Sequence, residues 1–413
     1  MKRDTVVRRT PALASALAAV ALLIVPMPGV GGDTADPLAA AWSELVAALA
    51  DADRHVASVT ADESELDRIE GQRYVSRMST LALERVFEYS PERPAGFYEL
   101  QGPVRKYAGD NPDQRYHSAS LDPRGTYRIR GQRGNAVLIE ASVYGGDTQF
   151  RHNRTDGKGG RRLVGYRDES TIAFAADGSF EILLGPGVAA SAGIRLDPDA
   201  RSVLVRSYFA DPRDKRITLD IQRTDISEPT TPLTAAQTVD ALHGTAAFVT
   251  SSVRIWSDRV DSLARTASNR LDPMPDGGDL LTPAGVRYLE GHWRLGHDEA
   301  MVIEFNPPEA PYWGFLVMNR WMESLEWRDR RVSINNRSAV PDPAGRVRIV
   351  VAHRDPGLPN WIDTAGHAHG VMSLRLARLT GKRPKVNVRV LPFAELDHFG
   401  DRQQTTHHGG TGE

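Results

Sequence analysis

The feature that most constrains this chain is that its apolar period changes three times along its length. Residues 37–57 place Leu38, Trp42, Leu45, Val46 and Leu49 three or four apart, as on one face of a helix. Thr60 and Glu63 have capping-box spacing, and Leu66, Ile69, Tyr74, Met78, Leu81 and Phe87 carry a second amphipathic helix. A helical N-terminal segment over 33–100, opening as a hairpin, is therefore expected.

Past Pro94 the period drops to two. Tyr127 and Ile129 alternate with Arg128 and Arg130, and 136–144, 171–175, 180–184, 202–209 and 217–222 read as further strands. Asp177-Gly178 between two of them is a hairpin turn. From Pro232 to 271 the helical period returns in Leu233, Val239, Leu242, Phe248, Val253, Trp256, Val260 and Leu263. The stretch from Asp272 to Gly278, with two prolines and two glycines, ends it as a linker or long loop. Strands resume at Tyr288 and continue through 301–305, 313–321, 332–335, 346–353, 371–378 and 386–391. Val386, Val388 and Val390 face away from Asn387 and Arg389, which predicts a sheet with one wet side. The fold class is α+β: a helical hairpin, then antiparallel β-sandwich or jelly-roll-like sheets over 101–231 and 279–395, with a helical insertion and linker at 232–278.

Composition removes several functions. With 51 basic and 53 acidic residues the formal charge is -2, so nucleic acid is not an expected partner. The absence of cysteine excludes disulfides, thiolate metal sites and a cysteine nucleophile. Arginine far outnumbers the six lysines, and its place is expected on solvated strand faces. At the start, Lys2, Arg3, Arg8 and Arg9 precede a 16-residue apolar run and a small-residue stretch ending at Gly32. This is the layout of a signal peptide over 1–32, and the run is shorter than the roughly 20 residues that span a bilayer. Export to the cell envelope is expected, with a cytoplasmic location as the alternative. The polar, Gly-rich end, 396–413, reads as a disordered tail.

The segment from Tyr312 to His369 reads YWGFLVMNRWMESLEWRDRRVSINNRSAVPDPAGRVRIVVAHRDPGLPNWIDTAGHAH. It resembles the bacterial domain of unknown function 1214, often found beside a partner domain numbered 1254. Upstream, Asp122-Pro123-Arg124-Gly125-Thr126-Tyr127-Arg128, Asp177-Gly178-Ser179-Phe180 and Arg206-Ser207-Tyr208-Phe209-Ala210-Asp211 are similar to it as well. The resemblance implies a β-rich, jelly-roll-like second half and supplies no catalytic residue.

Three constellations in this segment are able to carry chemistry. His353, Asp355, Asp363 and His367 combine imidazoles with carboxylates. His353, Asp355 and His367 are the candidate ligands for a divalent metal, on a loop expected to close over His353. Glu323 with Asp363 or Asp355 is a candidate acid–base pair, because two carboxyls in a partly dry site acquire different pKa values. Trp313, Trp321 and Trp361 belong to five tryptophans, of seven in the chain, that fall within 293–361. With Asn319, Asn336 and Asn360 they are the candidate lining of a ligand cavity; core packing is the competing role for each. The favoured function is a small apolar or sugar-like ligand held in an aromatic-lined cavity. The alternatives are a metal-assisted or dual-carboxylate hydrolase or lyase using 353–367, and an envelope assembly protein contacting partners through 232–271.

Overall fold

The computed structural model describes residues 36–91, 96–146, 161–211, 213–214, 216–226, 231–276 and 283–396. The leader and all but the first residue of the tail lie outside the described residues. Two helices open the fold, α1 (Pro37–Val59) and α2 (Glu65–Phe87). Helix α1 buries Ala41, Leu45, Ala52 and Val56, while Trp42 and Val46 are exposed. The apolar stripe expected through Trp42 is thus rotated toward small residues, which admit a close neighbour. The start of α2 is capped by Ser64 rather than Thr60: Ser64 Oγ accepts from the Asp67 amide at 3.1 Å. The third helix, α3 (Ala235–Thr266), is one continuous element with a capping box of Thr234 and Gln237. Its buried face packs on α1, α2 and the sheets, in one core with Val56, Tyr74, Met78, Trp321 and Val371.

The rest is β-structure in four sheets. The first sheet has β1 (Tyr98–Gln101), β2 (Gln114–Ser120), β4 (Leu138–Gly146), β5 (Arg161–Asp168) and β8 (Ala200–Tyr208) in the order β1-β2-β8-β4-β5. It packs on a second, β7-β6-β3-β9, made of β3 (Tyr127–Gln132), β6 (Ser179–Gly185), β7 (Gly193–Arg195) and β9 (Thr218–Arg223). The third sheet runs β10-β11-β17-β13-β14, from β10 (Asp272–Pro273), β11 (Val286–Arg294), β13 (Tyr312–Val317), β14 (Ser333–Asn335) and β17 (His369–Ala377). It packs on the fourth, β16-β15-β12-β18, from β12 (Glu299–Phe305), β15 (Val347–Ala352), β16 (Trp361–Asp363) and β18 (Asn387–Pro392). The architecture is α+β: two sandwiches beside a three-helix layer.

Three local readings change. Residues 171–175 form a turn and one bridge, Phe174 to Phe180, rather than a strand. The expected strand over 313–321 stops at Val317, because the Asn319 side-chain oxygen accepts from the amides of Trp321 (2.9 Å) and Glu323 (3.0 Å) and folds a turn. The expected 355–367 loop contains β16, which pairs in parallel with β15.

Strands β8 and β17 decide where a site can form. In β8, Val203 and Val205 point into the first sandwich, so Leu204, Arg206 and Tyr208 lie on its back face. In β17, Met372, Leu374 and Leu376 point into the second sandwich, leaving Ser373 and Arg375 on its back. These back faces meet: Leu138, Tyr208, Val286, Tyr312 and Ala377 form one cluster, with the Tyr208 and Tyr312 rings 5.1 Å apart. Both central strands are therefore covered on both sides.

Candidate functional site

The residues read from sequence disperse into separate structural duties. Both ring nitrogens of His353 are engaged, Nδ1 with Thr364 Oγ1 at 2.8 Å and Nε2 with the Gly296 carbonyl at 3.2 Å. The Asp355 carboxylate accepts from the Gly357 amide within a turn. Asp363 accepts from Arg330 at 2.6 Å and from the Ala365 amide at 2.7 Å. His353, Asp355 and His367 thus share no coordination point, since each turns its polar atoms to a different partner. No hydrogen bond among the described residues links Glu323 to Asp363 or Asp355. Trp313 sits in the second sandwich core, edge-on to Phe305 at 5.3 Å. The half-buried Trp361 donates Nε1 to the Ala352 carbonyl. Asn360, at φ 58°, ties Val340 and Arg348 together, and Asn336 donates to the Pro311 carbonyl.

Trp321, Asn319, Glu323 and His367 do come together, against α2. Trp321 is fully buried, stacks on Tyr74 (5.8 Å, 21°) and donates Nε1 to the Asp67 carbonyl at 2.8 Å. Asn319 Nδ2 donates to Glu70 at 2.7 Å and to Glu323 at 3.2 Å. Arg77 donates to Glu323 at 2.5 Å. His367 faces an acceptor at each nitrogen, the Thr364 carbonyl at 3.0 Å and Glu70 Oε2 at 2.8 Å, so both must donate and the ring is an imidazolium. Burial opposes that charge, but Glu70 and the Thr364 carbonyl outweigh it and raise the His367 pKa. Burial pushes Glu323 up to about 7 despite Arg77 and Asn319. Glu70, Asn319, Glu323 and His367 bond to one another and to Arg77 and Thr364, which holds α2 on the second sandwich.

A cavity of about 100 Å³ lies where the back faces of β8 and β17 meet α3 and the segment before β2. Arg206 projects into it from β8, with Tyr116 and Glu140 as its direct cross-strand neighbours. Glu140 Oε1 accepts from Arg206 at 3.0 Å. Arg259 enters from α3 and donates to Glu290 at 2.5 Å. Arg161 lies over the Tyr144 ring, 4.0 Å from its centroid. Arg375, 4% exposed, sits opposite Tyr288 on β11, donates one NH2 to the Gly109 carbonyl at 2.6 Å, and leaves Nε without a hydrogen-bond partner. No carboxylate among the described residues lies within ion-pair distance of Arg375. Burial alone would raise the Tyr144 phenol, yet Arg206 and Arg161 outweigh burial and lower it, a sign of positive potential here. Tyr116, Tyr288 and Trp256 supply aromatic walls.

Sequence reasoning missed these arginines by assigning strand arginines to solvated faces. The signal was present as a cation at the centre of an otherwise small or apolar face: Val371, Ser373, Arg375, Ala377. Of the larger concavities, one of about 820 Å³ on the outer face of β3, β6 and β9 is lined mainly by exposed residues, and one of about 430 Å³ lies between α2 and Val104.

Residues 292–378 match the family described as Protein of unknown function (DUF1214). An uncharacterised protein from Burkholderia cenocepacia is 30% identical over 87% of this chain and 99% of its own, with a TM-score of 0.79. The VPA0106 protein from Vibrio parahaemolyticus aligns over 76% of this chain and 100% of its own at 10% identity, and its TM-score of 0.42 carries no argument. No curated protein matches. The Burkholderia relative is covered almost end to end at that identity, and the family match falls on the third and fourth sheets, so this chain belongs to the DUF1214 family.

Proposed function

We propose that this protein binds a small anionic ligand, a carboxylate or a molecule of similar size and charge, in the arginine-lined cavity between its two sandwiches. The observation that carries the reading is the buried, partly unpaired guanidinium of Arg375 facing the same space as Arg206 and Arg259. A buried cation without a matching charge is expensive, and an anion arriving with the ligand offsets that cost through charge-assisted hydrogen bonds. Volume limits the ligand: an engineered cavity of about 150 Å³ takes benzene, so about 100 Å³ suits a short carboxylate or an inorganic oxyanion. None of Trp313, Trp321, Trp361, Asn319, Asn336 and Asn360 lines this cavity, whose aromatic walls are Tyr116, Tyr288 and Trp256. The basic, apolar, small-residue order of 1–32 supports an exported binding protein.

The assembly alternative loses support because the apolar face of α3 is covered by α1, α2 and the sheets. The acid–base alternative loses support because Glu323, Asp363 and Asp355 each bond to separate partners. The test is thermal unfolding at constant ionic strength with formate, acetate, sulfate and phosphate, against neutral formamide and acetamide. Stabilisation by at least one anion, approaching about 2.7 kcal/mol at a hundredfold excess over Kd, is expected, with Arg375→Met abolishing it and Arg375→Lys retaining part. Equal responses to anions and their neutral counterparts, or to wild type and Arg375→Met, would overturn the proposal.

A further inference from the structure

Away from the cavity, at the start of α2, three side chains from distant parts of the sequence converge. Glu63 precedes the Ser64 cap, Asp67 lies in the first turn, and His369 opens β17. His369 Nε2 is 3.1 Å from Glu63 Oε2 and 3.5 Å from Asp67 Oδ2, and the three ligand atoms all lie within 4.8 Å of one another. Asp67 and His369 are 3% and 5% exposed.

Two further observations distinguish this cluster from an ordinary ion pair. His369 Nε2 stands 3.1 Å and 3.5 Å from two carboxylate oxygens, yet no well-formed hydrogen bond joins it to either. Asp67 Oδ1 is also buried without a partner. Atoms that approach one another without aiming at one another are arranged as ligands around a common point. Around a tetrahedral zinc ion with bonds of about 2.0–2.1 Å, neighbouring ligand atoms are separated by about 3.3 Å, between the two separations found here.

We propose that Glu63, Asp67 and His369 bind a divalent cation of the zinc class. One imidazole nitrogen and two carboxylate oxygens suit such an ion, and the two carboxylates balance its charge. Three protein ligands leave a fourth position, which opens toward solvent on the side of Glu63, whose side chain is 27% exposed. Ser64 Oγ donates to Asp67 Oδ2 at 2.5 Å and fixes that carboxylate, as outer partners of metal ligands do. The ion would fasten the start of α2 to the start of β17. This inference is independent of the anion cavity and survives or fails separately from it.

The test uses the full chain without an affinity tag, carrying His407→Ala and His408→Ala so that the tail cannot chelate. After zinc loading and exhaustive dialysis, metal analysis should find about one equivalent, and cobalt should give the visible absorption of a four-coordinate site. Glu63→Gln, a change at a partly exposed side chain that leaves the core intact, should weaken zinc binding at least about tenfold. His369→Gln should abolish it while the circular dichroism spectrum is kept. Failure to retain metal, or retention unaffected by both substitutions, would overturn the assignment and leave His369 as a buried neighbour of two acids.

Discussion

Replacing Gly71 by alanine should destabilise this protein, although the same change in an exposed helix interior is stabilising by about 1 kcal/mol. Gly71 lies within α2 beneath Trp321. A Cβ built there would fall 2.5 Å from Trp321 Cζ2, 2.5 Å from Val56 Cγ1 and 2.9 Å from Trp321 Cε2. Carbon atoms in contact prefer about 3.5–4.0 Å, so something must retreat by about 1 Å. Trp321 has little freedom to do so, since its Nε1 is bonded to the Asp67 carbonyl and its ring is stacked on Tyr74. Overpacking of this kind costs about 1–3 kcal/mol, and two rigid neighbours place this site near the top of the range. Subtracting the propensity gain leaves a net loss of about 2 kcal/mol. Urea unfolding followed by tryptophan fluorescence should show a lower midpoint with an unchanged m value. Trp321→Phe, which removes the clashing ring atoms, should cost less in the Gly71→Ala background than alone, a coupling of about 1 kcal/mol in a double-mutant cycle. A higher midpoint for Gly71→Ala would refute the seating of Trp321 on α2, and with it the placement of Asn319 and Glu323 against the helix.

Two pH effects follow from buried carboxyls and their partners. Burial pushes Asp113 up to about 6 from 3.8, against hydrogen bonds from Asn335 and Tyr312, so the folded state holds its proton where the unfolded state has lost it. Stability should therefore fall by about 2 kcal/mol as pH rises from 4 to 6, a slope that Asp113→Asn should remove in urea titrations across that range. For Glu70 and His367, burial opposes both charges, but their mutual contact lowers Glu70 below 4.5 and raises His367 above 6.5. The His367 contribution is complete below pH 6.5 and lost as pH rises through its raised value; the Glu70 contribution is complete above pH 4.5 and lost as pH falls through its lowered value. His367→Gln should abolish the alkaline loss, and His367→Ala, which leaves Glu70 with Asn319 and Arg73 as its remaining donors, should cost about 1–3 kcal/mol at pH 6.

The sequence was most informative where a residue's role depends on neighbours close in the chain. The three helices follow from the 3.6-residue period, and the Asp177-Gly178 turn needs only Gly178 at φ 82°. It was least informative where the partner is remote. Glu70 and His367 are 297 positions apart, and nothing local in Asp363-Thr364-Ala365-Gly366-His367 announces that this imidazole answers to a helix. The arginines illustrate the same limit. Val371, Ser373, Arg375 and Ala377 alternate with Met372, Leu374 and Leu376 as a half-wet strand does, and only the packing of the first sandwich and the helices on the back of the third sheet makes that face dry. Likewise, Trp42 and Leu45 are equally apolar in sequence; which one is buried depends on where α3 lies.

The turn after β13 connects the two regions that local reasoning could not assemble. Its Asn319 and Trp321 fasten α2, while the Met322 carbonyl accepts from the Gly109 amide at 2.7 Å. That bond fixes Gly109, whose own carbonyl accepts from Arg375. Ala108 and Met322, which flank this contact and line the cavity, both hold left-handed backbone conformations, φ 48° and 54°. Such conformations cost about 1–3 kcal/mol each in residues other than glycine and persist only where surrounding bonds over-determine them. Lys106 provides that restraint here: its buried ammonium donates to the carbonyls of Ser324 and Leu325, tying the two strained segments together. In the α2 seam, by contrast, Glu70, His367 and Asn319 bond to one another. Backbone strain and an incompletely paired guanidinium thus coincide at the cavity, a departure from what stability alone would select.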